Sequence, residues 1–181
     1  MLTSCSEAQN AEQPWIVDRF DDIKVIRYEV PAFENLTLEE KELVYYLSEA
    51  AKCGRDILFD QNFKYNLAIR RTLETIYTES EVKTGDEFAA FEKYLKKVWF
   101  ANGIHHHYSN DKFAAEFSRE WFAEQLKGVD TGVVSHEEIL EIIFNPNLYA
   151  SRLNQTAGVD MIAESAGNYY EGLTQAEVEK F

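Results

Sequence analysis

The chain is poor in residues that interrupt regular structure and in residues that cross-link it. Glycine occurs 8 times and proline 3 times in 181 residues, and there are two cysteines, Cys5 and Cys53. So few breakers argue against a turn-rich β-sandwich and predict a mainly helical protein. Two cysteines exclude a disulfide framework. No apolar run approaches the roughly 18–20 residues that a membrane-spanning helix needs.

Positive charge is also scarce. The chain has 18 Lys and Arg against 32 Asp and Glu, which gives a formal net charge of −14 and a pI near 4.7. This excess of acid argues against a nucleic-acid partner, because phosphate backbones would be repelled over most of the surface. Hydrophobic residues make up 45% of the chain and aromatic residues 14%, which predicts a folded domain with a real core.

The first residues resemble the end of a bacterial lipoprotein signal. Leu2–Cys5 (LTSC) has the pattern in which the cysteine is lipidated, although the basic and apolar parts of such a signal are missing before it. In this interpretation residues 1–14 are a flexible tether, and the protein belongs to the cell envelope. A lipid on Cys5 is then its only membrane contact. The alternative is an ordinary cysteine on the flexible end of a cytoplasmic protein.

One segment has the pattern of an extended chain, Trp15–Val30. Within it Ile26, Tyr28 and Val30 alternate with charged residues, and this period of two predicts one short strand near residues 23–30. The rest of the chain offers few candidate partners for a strand. We therefore expect the partner strands to lie elsewhere.

Helical signals follow in series from residue 37. Four capping-box patterns, each a Thr or Ser followed three residues later by Glu, predict helix starts at Thr37, Thr84, Ser135 and Thr174. Apolar residues recur at spacings of three and four after the first three starts and again within Phe63–Tyr77, which predicts helices whose apolar faces form the core. The stripe after the first start includes Leu43, Tyr46 and Leu47, and Cys53 is expected to belong to the same core.

The last capping box, at Thr174, has almost no helix behind it before the final residue, Phe181. A helix of two turns or fewer is marginal, because nucleation is costly and packing supplies most helical stability. This pattern predicts a domain of residues 15–181 that is truncated at its C-terminus. A short docked terminal helix is the alternative.

Three of the four histidines lie together in the segment Asn102–Phe113. Adjacent side chains point in different directions on a helix or a strand, so His105, His106 and His107 are poorly placed to converge on one metal ion. We predict a polar loop that lines a cleft and binds no metal. An ordinary surface loop is the alternative.

Several longer strings resemble the N-terminal part of bacterial dipeptidyl peptidase III proteins. They are VDRF at residues 17–20, ELVYYL at 42–47, GRDILFDQ at 54–61, VWFANGIHHHY at 98–108 and AGNYYEG at 166–172. The resemblance covers residues 15–181, nearly the whole chain, but only the first part of the family's length.

The resemblance implies a two-lobed zinc metallopeptidase that releases N-terminal dipeptides from oligopeptides bound in a wide cleft. This chain would be the mainly α, helical N-terminal part of the lower lobe. In the family a His-Glu-x-x-Gly-His motif and a later Glu hold the zinc. Neither that motif nor His-Glu-x-x-His occurs here, since His136-Glu137 is followed by no second histidine at the required spacing. The resemblance therefore implies no catalytic residue and no bound zinc in this chain, which is expected to be inactive without the remainder of the same polypeptide.

The resemblance also implies a place on the peptide-binding wall for one segment. The family has an aromatic residue shortly before a Lys-Phe pair that lines the cleft, and Tyr108 occupies that place before Lys112 and Phe113. A tyrosine there could stack on a peptide side chain and donate one hydrogen bond. His107 and Asn102 are weaker candidates for substrate contact. The alternative function is an independent, lipid-tethered helical module for binding or interaction.

Overall fold

The computed structural model describes residues 15–81 and 83–181. The predicted tether of residues 1–14, with Cys5 as its lipidation site, lies outside these described residues. Within them the protein is mainly α-helical with one small sheet, which confirms the predicted fold class. The chain divides into two compact units, Met1–Ala50 and Ala51–Phe181.

The extended segment of the first unit is a β-hairpin. Strands β1 (Ile16–Phe20) and β2 (Ile23–Ile26) pair antiparallel, with Phe20 opposite Ile23, and Asp21 adopts a φ of 53° in the turn. The prediction that the strand near residues 23–30 has its partner elsewhere is therefore wrong. Its partner directly precedes it, and the strand ends at residue 26. The partner was missed because two of its five positions carry charged residues, which weakens the alternating pattern.

Helix α1 (Leu38–Cys53) begins at a predicted capping box, in which Thr37 and Glu40 exchange hydrogen bonds. Its apolar stripe was expected to form core, but Leu43 is 59% exposed and none of its residues is buried. That prediction is wrong for this helix, and Cys53 is exposed as well. Helical spacing identifies which residues share a face, but it does not decide whether another element covers that face.

The second unit has a buried hydrophobic core built mainly by three of its helices. In chain order its helices are α2 (Arg55–Asn62), α3 (Asn66–Glu79), α4 (Asp86–Ala101), α5 (Arg119–Gln125), α6 (His136–Phe144) and α7 (Gln175–Val178). Helices α3, α4 and α6 bury most of their predicted apolar stripes, which confirms those faces as core: Ile69, Leu73, Phe88, Phe91, Leu95, Val98, Ile139 and Ile142.

The predicted capping boxes at α6 and α7 are confirmed, but the box at Thr84 is wrong. Helix α4 has Gly85 as its N-cap, and no side chain caps it. The Glu87 carboxylate instead accepts hydrogen bonds from the backbone N and the Oγ of Ser118, both at 2.7 Å. Two donors on one distant residue compete successfully with a single local backbone N–H, so Glu87 links α4 to the start of α5.

Between the helices lie short extended segments that are joined by backbone hydrogen bonds. Residues 104–106 pair with 111–113, the region 110–112 pairs with 150–152, and 151–152 pair with 166–167, with N···O distances of 2.8–3.0 Å. These segments hold chain regions that are far apart in sequence side by side. The loop of residues 102–113, which the sequence singled out, is thereby anchored at both ends.

Candidate functional site

The centre of the predicted loop is a tight turn that displays Tyr108. The backbone N of His106 donates to the carbonyl O of Asp111 at 2.8 Å, which closes the turn. The ring Nδ1 of His106 accepts from the backbone N–H groups of Tyr108 and Ser109 at 3.2 and 3.1 Å. With its backbone held in this way, the Tyr108 side chain is 82% exposed.

Tyr108 lies at one end of a row of aromatic rings on the loop. Its ring centroid lies 4.1 Å from that of His107, and the His107 ring lies 5.0 Å from that of Phe100. Phe100 is itself 46% exposed. The neighbouring rings are inclined to each other by 45° and 81°, so the cluster presents separate ring faces and polar edges that can stack against a planar group or an extended peptide.

Asn102 lies at the other end of this loop and serves to end helix α4. It adopts a left-handed φ of 54° at the C-cap. Its Oδ1 accepts from Nη2 of Arg55 at 3.3 Å, and its carbonyl O accepts from Nδ2 of Asn62 at 3.0 Å. Both oxygens of Asn102 are thus used inside the protein, where they orient the start of the loop.

The next residue, Gly103, packs directly against the side chain of Asn66, which is fully buried. Asn66 donates through Nδ2 to the carbonyl O of Phe59 at 3.1 Å and accepts through Oδ1 from the backbone N of Ile104 at 3.1 Å. A Cβ at position 103 would lie only 2.2 Å from that Nδ2. Asn66 therefore connects the end of α2 to the loop, and only glycine leaves room for it.

His105 is the buried member of the histidine triplet. It is 2% exposed, and its Nε2 lies 2.8 Å from the carbonyl O of Tyr149. A carbonyl only accepts, so Nε2 carries the proton, and Nδ1 is buried without a partner. Burial, reinforced by the nearby positive charges of Lys112 and Arg152, lowers the pKa of His105 to about 4. This histidine is a neutral structural group at pH 7.

Acidification is expected to destabilise the protein through His105. The pKa of this imidazole is 6.5 in the unfolded chain and about 4 in the folded one, so the unfolded chain binds more protons between these values. The contribution of the neutral imidazole to the free energy of unfolding is fully present above pH 6.5, and it is lost as the pH falls from there towards 4. From pH 7 to pH 5 we expect a loss of about 2 kcal/mol in the free energy of unfolding, measured by urea titration.

The matched variant for this measurement is His105→Gln, whose side-chain amide can still donate to Tyr149. It should lose about 2 kcal/mol less than the wild type between the two pH values. Carboxylates with a lowered pKa, such as Glu138, which Ser135 hydrogen-bonds, are present in both proteins and cancel in the comparison. Equal losses in the two proteins would contradict the assignment to His105.

Arg152 joins the loop to the rest of the site. Its Nε and Nη2 both donate to Oδ1 of Asn110, at 3.0 and 2.8 Å, and Nη1 donates to Oδ1 of Asn62 at 3.2 Å. Nη2 also donates to the carbonyl O of His107 at 3.3 Å. All these acceptors are neutral. In the described part of the chain no carboxylate lies within ion-pair distance of this guanidinium.

Beside Arg152 lies a cavity of about 530 Å³. Asn62 and Asn110, which hold the guanidinium, are also part of its wall. The remainder of the wall is largely apolar and aromatic, and includes Leu153, Met161, Ile162, Tyr169, Tyr170 and Val178. A cavity of this size, mostly apolar with a few convergent polar groups, has the character of a small-ligand or side-chain site.

The structure gives the three predicted substrate-binding residues different settings, and only His107 and Tyr108 are in contact. Tyr108 is displayed on the surface, His107 contacts both its ring and the Arg152 guanidinium, and Asn102 is used to end a helix. Sequence reasoning missed Arg152 and Asn62. No local pattern marks either residue, because they meet only through pairing of distant segments.

No group of three or more His, Cys, Asp or Glu side chains within residues 15–81 and 83–181 is placed to hold a metal ion. Two histidines of the triplet also use ring nitrogens inside the protein: His106 through Nδ1 and His105 through Nε2. Among the helices of the described residues, none is long and apolar enough to cross a membrane.

No protein-family model matches this sequence, and no curated protein is significantly similar to it. The resemblance to dipeptidyl peptidase III therefore stays a prediction from the residues that carry it.

Proposed function

We propose that this chain is the N-terminal, cleft-forming segment of a zinc-dependent peptidase similar to dipeptidyl peptidase III, which releases N-terminal dipeptides from oligopeptides. In this proposal the chain forms one wall of the peptide-binding cleft. The observation that carries it is Tyr108, an aromatic side chain at the place the resemblance implies, turned outward by His106 and 82% exposed.

The chemistry belongs to the remainder of the polypeptide. Bound zinc would acidify a water molecule and polarise the scissile carbonyl. The residues described here do not fit a zinc site, since they provide no ligand group for it. The side chains of this chain therefore bind and orient: Tyr108 stacks on the peptide, while His106 and Arg152 fix the turn that presents it.

The exposed face of α1 supports the same proposal. Leu43, Tyr46 and Leu47 are between 59% and 67% exposed, on a helix that buries none of its residues. Large apolar side chains grouped on one helix face usually belong to an interface. In this proposal that face packs against the remainder of the same polypeptide.

Peptide binding tests the proposal. We expect the purified chain to bind a fluorescently labelled oligopeptide in an anisotropy titration, and Tyr108→Ala to raise its Kd about 5–10-fold through lost stacking. Tyr28→Ala is the matched control, because Tyr28 is 84% exposed on the first unit and should leave the Kd unchanged. Tyr108→Phe retains the ring and should stay within about twofold of the wild type.

Two outcomes would contradict the proposal. One is peptide binding that is insensitive to Tyr108→Ala or absent altogether. The other is release of dipeptides from a dipeptidyl arylamide by the pure chain with added zinc, because that would place the whole catalytic apparatus in these residues. Loss of binding in Tyr28→Ala to the same extent would show that the effect is not specific to the loop.

A second candidate function is the independent, lipid-tethered binding module. The observation that favours it is that the unit Ala51–Phe181 buries its own hydrophobic core, including Phe91, Leu95 and Phe122. The gene sequence after the codon for Phe181 separates the candidates. A reading frame that continues into a His-Glu-x-x-Gly-His motif supports the peptidase, and a stop codon together with a cooperatively melting monomer supports the module.

A further inference from the structure

We propose that the cavity beside Arg152 is a binding site for a monocarboxylate that carries an apolar group. Two sources supply this chemistry: a free N-acylated aromatic or branched aliphatic amino acid, and the C-terminal residue of a peptide. The site goes beyond the proposed peptidase role and does not depend on it, since it is argued from this chain's own residues alone.

The first argument is charge. The Arg152 guanidinium is partly buried and always charged, and it is held by the neutral oxygens of Asn62, Asn110 and His107. A buried or partly buried charge is normally paired. Here no carboxylate of the described residues pairs with it, so an anion entering the cavity would meet a fixed, preorganised positive charge.

The second argument is the number of N–H donors that Arg152 has left, which limits how many oxygens of an anion it can bind. A guanidinium has five N–H groups, and the structure uses four: one on Nε, two on Nη2 and one on Nη1. The second N–H of Nη1 remains. One charge-assisted hydrogen bond suits a single carboxylate oxygen, whereas a phosphate would need several donors. The net charge of −14 also disfavours a dianion.

The third argument is the lining. Met161, Ile162 and Val178 contribute aliphatic surface, and Tyr169 and Tyr170 contribute rings, within a volume of about 530 Å³. A small hydrophilic anion such as formate would leave this surface in water. A phenyl or isobutyl group would cover it, so the cavity selects a carboxylate with an apolar substituent.

One group opposes the binding of anions. Glu179 lines the same cavity, and its Oε1 accepts a hydrogen bond from Nε2 of Gln175 at 2.7 Å. Its negative charge should weaken the affinity for a carboxylate and leave the affinity for a neutral ligand unchanged. A substitution that removes the charge of Glu179 should therefore raise the affinity for a carboxylate, whereas a substitution that destroys the site should lower it.

The test uses a pair of ligands that differ only in charge. N-acetyl-L-phenylalanine and its amide are titrated into the ¹⁵N-labelled chain in a buffer free of carboxylates, and two-dimensional NMR follows the side-chain signals of Arg152, Asn62 and Asn110. We expect saturable shifts with the acid and an affinity for the amide that is about tenfold or more weaker. Ala-Ala-Phe as free acid and as amide distinguishes the sources, since binding of the tripeptide acid indicates a peptide C-terminus and its exclusion a small free acid.

Two variants link the binding to the cavity without altering Arg152, whose replacement would loosen the loop as well. Val178→Trp fills the apolar space and should weaken acid binding about tenfold or more. Val133→Trp is its matched control, because Val133 is 98% exposed and lies outside the cavity lining. Glu179→Gln should strengthen acid binding about twofold and leave amide binding as it was.

The inference is overturned by any of three results: equal affinity for acid and amide, no saturable shift in the three side chains, or acid binding that Val178→Trp leaves intact. None of these results bears on peptide contact at Tyr108. Conversely, an anisotropy titration in which Tyr108→Ala leaves peptide binding unchanged would not contradict the carboxylate site. The two proposals can therefore be refuted independently.

Discussion

Replacing Gly103 by alanine is expected to lower the free energy of unfolding by about 3–5 kcal/mol and to detach the candidate site from its support. The new Cβ would lie 2.2 Å from Nδ2 of Asn66, a distance that no side-chain relaxation of alanine can relieve. Asn66 is fully buried and bonded on both sides, to Phe59 and to Ile104, so moving it breaks two buried hydrogen bonds. Urea titration measures the loss.

Gly132→Ala measures the cost of alanine at a positive φ where no clash occurs. Both glycines have positive φ values, 149° and 68°, but a Cβ at position 132 meets nothing within 4 Å. The control should therefore cost only about 1 kcal/mol, the usual penalty for alanine at a positive φ. A second readout is the NMR signal of the Tyr108 amide, which should shift in Gly103→Ala alone. Similar losses in both variants would contradict the role assigned to Asn66.

Lys112→Met is expected to cost about 3 kcal/mol. The Nζ of Lys112 donates to the carbonyl oxygens of Ile142 at 2.9 Å, and of Asn145 and Leu148, both at 2.5 Å. These carbonyls lie at and after the C-terminus of α6, where the helix dipole favours a cation. Methionine conserves the length and apolar stem of lysine but removes the donor that the three carbonyls share, and of these only that of Asn145 keeps another among the described residues, the backbone N of Leu148 at 3.3 Å, so the loss measures the ammonium group.

Lys127→Met is the matched control for this substitution. Lys127 is an exposed residue whose ion pair, with Glu124 at 2.7 Å, joins positions three apart in sequence. Exposed pairs of this kind contribute at most about 1 kcal/mol, so we expect a change within about 0.5 kcal/mol. A change in the free energy of unfolding for Lys112→Met as small as that of the control would contradict the role of the ammonium group in holding the end of α6 to the loop.

Features that depend on neighbouring residues were predictable from the sequence. The capping boxes that begin α1, α6 and α7 each join a hydroxyl and a glutamate three residues apart, and the structure has all three. The capping box predicted at Thr84 does not form because the Glu87 carboxylate accepts hydrogen bonds from Ser118, which is 31 residues away in sequence. Local chemistry decides a helix start unless a distant group offers more hydrogen bonds.

In the candidate site, too, some features follow from neighbouring residues and others from contacts with distant parts of the chain. The unusual string of residues 102–113 identified the loop, and the structure shows that Tyr108 is exposed on it. The string did not assign separate roles to its three histidines: in the structure His105 is buried, His106 supports the turn and His107 contacts the Tyr108 ring. Their positions depend on how the extended segments pair, which no spacing within the triplet encodes.

Composition and periodicity by themselves determined that this protein is mainly helical, that its α3, α4 and α6 stripes are core, and that its surface is acidic. Tertiary structure alone decided that the α1 stripe is exposed and that Arg152 meets Asn62, 90 residues away, at the wall of a cavity. The physical reason is that periodicity reports which side chains share a face of one element. The group that covers that face, or lies opposite a given charge, comes from a distant part of the chain and is selected only when the elements pack.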